Sequence, residues 1–140
     1  MDPNRATLWA GRSLTVIGIG HMALLLPPAL RDGSARRWLA GDLRRAEGHA
    51  GGRTALRFWE GPGSLGVPLA VAGALVVRLA RDGVPVPRPV TGVLAAWGAF
   101  GAAVLEPSGY PLAVVPVGLL VAAERRRLRH DAGRGSRRPR

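Results

Sequence analysis

Apolar positions gather into four stretches along this chain, and charge is confined almost entirely to the segments between and after them. The first stretch, Ser13–Leu30, lies between Arg12 and Arg31 and contains one titratable group, His21. As a helix its 18 residues rise about 27 Å, close to the roughly 30 Å hydrocarbon core of a bilayer. Residues 61–77, 89–105 and 107–123 supply 17 residues each, about 26 Å as helix and at the short end of spanning length. Arginines at their ends can snorkel to the headgroups. The pattern predicts an all-α fold: an integral membrane four-helix bundle of short transmembrane helices over residues 1–128. Residues 129–140 hold nothing to bury and are expected to be a disordered, Arg-rich cytoplasmic tail.

Local signals refine the boundaries. Pro27 and Pro28 fall in the last turn of the first span and should end or bend it. Pro89 suits a first helical turn, and Gly83 suits a C-cap before the extended Pro85–Pro87 link. Glu106-Pro107-Ser108-Gly109 is turn chemistry, so the third and fourth stretches should insert as a hairpin. Pro68 and Pro116 are expected inside their helices, as kinks. The small residues Gly66, Ala70 and Ala74, and Ala95, Ala99 and Ala103 with nearby glycines, should face the bundle interior, leaving Leu, Val and Phe to lipid. Residues 31–60 form a polar connection in which Leu39, Leu43 and Ala46 recur at amphipathic spacing. That stretch reads equally as an interfacial amphipathic helix or as a short solvated helix or loop, ended by the glycines from Gly48 to Gly52. A signal peptide competes for the first stretch, with Gly33-Ser34-Ala35 as cleavage site, although Arg31-Asp32 is poor context for it.

Composition changes the picture at two points. A net charge of +11 would suggest a nucleic-acid binder in a soluble domain, but the segregation of charge removes that reading, and no nucleic acid is expected. Arginine placement then gives an orientation. With the N-terminus inside, cytoplasmic segments hold thirteen arginines against seven in residues 31–60 and none in the 106–109 turn. The chain is therefore expected in the cell membrane, multi-pass, with both termini cytoplasmic. All basic residues in the count are arginine, and with abundant Ala, Gly and Pro they point to a GC-rich, bacterial coding sequence. Cysteine is absent, which excludes thiol nucleophiles and thiolate metal sites.

Several short motifs stand in a fixed order. They are Trp9-Ala10-Gly11-Arg12, Ile17-Gly18-Ile19-Gly20-His21, Phe58-Trp59, the Gly83/Pro85/Pro87 link, a span holding Trp97, Pro107-Ser108-Gly109-Tyr110, and Pro116. Over residues 8–121 this order resembles a family of small bacterial four-span membrane proteins known only as a domain of unknown function. The sequence departs from that pattern at Pro111, where a second aromatic would follow Tyr110, and at Glu60 after the Phe-Trp pair. The resemblance implies the four-helix layout and no activity.

The polar residues that could carry a function are His21, Glu106 and Glu60. Ionisable groups at bilayer depth are costly and mark relays or ligand contacts, and an interhelical bond from His21 to Thr91 or Tyr110 would satisfy its ring structurally. Glu60 and Glu106 sit at the expected outer edge, either in a vestibule with first-loop arginines or as solvated carboxylates. No catalytic constellation is present, so no enzyme activity, cofactor or metal is expected. The expected partners are the lipid bilayer, anionic headgroups at the Arg-rich tail, and a second copy or another membrane protein. The leading reading is an accessory or structural membrane subunit. A minimal proton-linked carrier using His21 and a subunit of a membrane redox complex are the alternatives.

Overall fold

The structure is a computed structural model that describes residues 2–44, 49–104 and 110–135. Those residues are all-α, with six helices: α1 (Pro3–Arg31), α2 (Ser34–Leu39), α3 (His49–Glu60), α4 (Gly66–Arg81), α5 (Arg88–Val104) and α6 (Val114–Gly135). Short 3-10 turns at Asp42–Arg44 and Tyr110–Ala113 complete them. No strand occurs among the described residues. The 106–109 turn, with Glu106, lies outside the described residues.

Helix α1 starts ten residues before the expected span because Asp2-Pro3 is a helix start. The Asp2 carboxylate accepts from the Asn4 amide at 3.1 Å, and proline at the first helical position needs no amide partner. At the other end α1 runs through Pro27 and Pro28 to Arg31, so the prolines do not end it. Gly33, at φ 74°, reverses the chain instead. Its 29 residues extend about 43 Å. Among the described residues α1 is the one helix long and apolar enough to cross a membrane.

The chain divides into two compact units. In the unit of residues 1–14 and 72–140, Ala6, Ala10 and Leu14 bury one face of α1, with Val76 and Ala80 of α4 and Leu120 and Ala123 of α6 in the same core. Helix α5 buries Thr91, Gly98 and Gly101. Backbones approach closely in this unit at Gly11. A β-carbon there would lie 2.7 Å from the Val77 nitrogen and 2.8 Å from the Gly73 carbonyl oxygen, so no side chain fits. Gly83 closes α4 as expected, at φ 69°, with Val84 N–H bonded to the Leu79 carbonyl and Gly83 N–H to that of Ala80.

In the unit of residues 15–71, α1 and α4 meet through Gly18. A β-carbon on Gly18 would overlap the Gly66 carbonyl and come within 2.6 Å of the Ala70 nitrogen. Gly66 also abuts His21 and Met22, so α4 begins at the level of His21 and the last turns of α1 run on beyond it. Trp38 ties α2 to α3. Its Nε1–H donates to the Thr54 carbonyl at 2.9 Å, and its ring meets Phe58 edge-on at 5.8 Å.

Five sequence readings are corrected or narrowed. Gly51 and Gly52 do not break a helix, since α3 runs from His49 through both. Their cost of about 1 kcal/mol each falls in the first turn, and the tertiary contacts of Trp38 and Phe58 hold the rest. Leu39 and Leu43 do not share one amphipathic helix, because α2 ends at Leu39 and Gly41, at φ 83°, turns the chain. Pro68 and Pro116 stand third in α4 and α6, in first turns whose amides need no intrahelical acceptor, and so kink nothing. Helix α6 continues to Gly135, so residues 129–135 are helical. The small faces are also shifted: Gly66, Gly73 and Ala80 are buried on α4 while Ala74 is exposed, and on α5 Gly98 and Gly101 are buried while Ala99 and Ala103 are exposed.

Candidate functional site

The polar residues of the 15–71 unit converge where α1, α3 and α4 meet. His21 is exposed, and its Nε2 lies 3.0 Å from the Glu60 carbonyl oxygen. A carbonyl can only accept, so Nε2 carries the proton and donates. The partner of His21 is thus the C-terminal residue of α3. Two of the three polar residues singled out from sequence, His21 and Glu60, are brought together. The third, Glu106, lies outside the described residues.

Arg57 extends the cluster. Its Nη1 is 3.5 Å from Glu60 Oε2, one helical turn on, and its Nε is 3.4 Å from Asp32 Oδ2 beyond the end of α1. These pairs are about 40% exposed, and each holds geometry more than it adds stability, of order 0–1 kcal/mol. Asp32 also accepts from the Ser34 amide at 2.9 Å. The bonds from Ser34, with the Arg57 charge beside it, hold the Asp32 carboxyl below the usual carboxylate range. Sequence reading passed over Asp32, Arg57 and Trp38. Their signals were an acid two residues before a helix-starting serine, an Arg-x-x-Glu pair, and a tryptophan in an otherwise charged stretch.

Chemically the cluster can donate and accept hydrogen bonds and balance charge at the end of α3. It offers no nucleophile–base pair, and no group of three or more metal-ligating side chains occurs among the described residues. Around it stand Trp38, Phe58 and Trp59, the last two edge-on at 5.4 Å, so an aromatic layer and a charged layer adjoin.

No curated protein and no solved structure matches this chain. The model of one protein family does match, over residues 5–127, which takes in α1 through the first turns of α6 and includes both His21 and Glu60. The chain therefore belongs to that family, described as a family of unknown function (DUF6463).

Proposed function

We propose that this chain is a four-span protein of the cell membrane, with both termini cytoplasmic, that serves as a small accessory or structural subunit without catalytic chemistry of its own. The observation that carries this reading is the inverted burial. Glycine, alanine and threonine make up most of the interior, with Leu14, Val76 and Leu120 among them, whereas Val16 (68% exposed), Phe100 (68%), Val114 (69%) and many other large apolar side chains face outward. Water would oppose such a surface, and lipid would not. Only 17% of the apolar window of α1 is buried, unlike the core helix of a soluble protein. Helices α4 and α5 are the second and third spans, and the 3-10 turn at Tyr110–Ala113 with the apolar start of α6 is the fourth.

Two further features support the reading. Trp9, with the Arg12 guanidinium 5.1 Å above its ring, and Trp59 are exposed, as interfacial aromatics are. His21, bonded to the end of α3, then sits at headgroup level, where its ring can be hydrated. In this reading α2 and α3 form a structured cap on the outer side of the first span.

Alkaline carbonate washing of membranes tests the reading. The chain should stay with the membrane pellet, and gentle detergent extraction should recover it with a second copy or a membrane-protein partner. Release into the carbonate supernatant would refute it. The proton-linked carrier is the second reading, favoured by the His21–Glu60–Arg57 juxtaposition alone. It requires proton flux in proteoliposomes that His21→Ala abolishes and His21→Gln does not restore.

A further inference from the structure

In the unit of residues 1–14 and 72–140, a cavity of about 490 Å³ opens beside the 84–88 link. Its inner wall is Thr7, Thr91, Leu120 and Ala123, all buried; Arg88, Glu124, Arg127 and His130 line the rest, with Leu128 exposed among them. The volume suits a small ligand or a single headgroup. The charged lining is already organised. Arg88 Nε holds Glu124 Oε1 at 2.8 Å, which anchors that guanidinium to α6. Arg127 Nη2 donates to Asn4 Oδ1 at 3.1 Å, which anchors that guanidinium to the start of α1. Two held guanidiniums against one carboxylate leave a net positive site, and planar forks of this kind fit phosphate oxygens in bidentate fashion. The apolar inner wall makes the site amphipathic.

We propose that this cavity is a binding site for one phosphate-bearing anion, held by Arg88 and Arg127, with Thr7 and Thr91 at its base. Its source is either an acidic lipid headgroup or a free phosphate. The lipid source rests on the membrane reading above, which places Arg88, the start of α1 and the part of α6 from Glu124 onward on the cytoplasmic side, where anionic lipids attract basic segments. This is a discrete site with a stoichiometry of one, distinct from diffuse attraction of the arginines near the C-terminus.

The test is native mass spectrometry of the full chain in detergent, titrated with phosphatidylglycerol, phosphatidylcholine or inorganic phosphate. One phosphatidylglycerol should bind per chain. Arg88→Gln with Arg127→Gln should weaken that binding at least about tenfold, the loss of two charge-assisted contacts. The charge-matched control, Arg125→Gln with Arg129→Gln on the same helix, should change it less than about threefold, since neither residue lines the cavity. Leu128→Glu, at an exposed rim position, should also weaken it without disturbing packing. Displacement of the lipid by millimolar inorganic phosphate would identify free phosphate as the source, and its persistence would identify the headgroup. Equal losses in the two double variants, or equal binding of phosphatidylcholine, would overturn the site. Because binding is read in detergent, it stands or falls separately from the carbonate wash that tests membrane residence.

Discussion

Single residues fix the closest packing in this chain. Gly11 and Gly18 stand seven apart on α1, and each faces α4 backbone with no room for a methyl group. Gly20 has open space around its α-carbon. Gly11→Ala and Gly18→Ala should therefore each destabilise the protein by about 1–3 kcal/mol, the usual cost of overpacking. Gly20→Ala should be neutral or slightly stabilising. Thermal unfolding of the three variants in detergent checks the ranking. Asp32 carries a second prediction at this scale. Its carboxyl titrates below its unfolded value in the fold, so its contribution is complete above the ordinary carboxylate range. That contribution disappears as pH falls through the lowered value. Asp32→Asn should reduce stability near neutral pH and narrow the gap to the parent under acid. A gap that widens on acidification would contradict the assignment.

At the scale of elements, helix starts decide what the prolines do. Pro68 and Pro116 occupy first turns, so Pro68→Ala should change stability by less than about 1 kcal/mol. Ala74→Pro, mid-helix in α4, should cost about 3 kcal/mol or more. A large effect at Pro68 would mean that α4 begins earlier than Gly66. This is also where the sequence was least legible. The apolar stretches located α5 within one residue and α4 within about five, because the Gly83 cap and Arg88 mark the link between them, whereas α4 starts only at Gly66 and runs on through Arg78 to Arg81. The start of α1 was missed because the Asp2-Pro3 cap precedes any apolar run. Helix α3 was missed because Gly51-Gly52 reads locally as a breaker, whereas the bond from Trp38 to Thr54 and its contact with Phe58 are tertiary and span a separation no local pattern reveals. For the same reason His21 was legible as a candidate and its partner was not. The Glu60 carbonyl is backbone, and nothing in the side-chain pattern advertises it.

For the molecule as a whole, the distribution of small and large apolar residues separates a membrane protein from a soluble one. Val93 and Phe100 are both exposed on α5. If that face meets lipid, Val93→Arg should cost about 2.5–3.5 kcal/mol of insertion free energy and lower the membrane-integrated yield. If it met water, the same substitution would fall within about 0.5 kcal/mol of neutral. Glycosylation or protease-protection mapping of the 88–104 segment reads the difference.

The central claim, four spans with both termini inside, is tested most directly by cysteine accessibility, because the chain contains no native cysteine. Single cysteines would be placed at Leu39, which is almost wholly exposed, at Ser108 in the 106–109 turn and at Ser136 after α6. A membrane-impermeant thiol reagent would then be applied to intact cells and to permeabilised ones. The account predicts labelling of Leu39→Cys and Ser108→Cys in intact cells, and of Ser136→Cys only after permeabilisation. Labelling of Ser136→Cys in intact cells with Leu39→Cys protected would contradict it, and would place the arginine-rich connection in the cytoplasm.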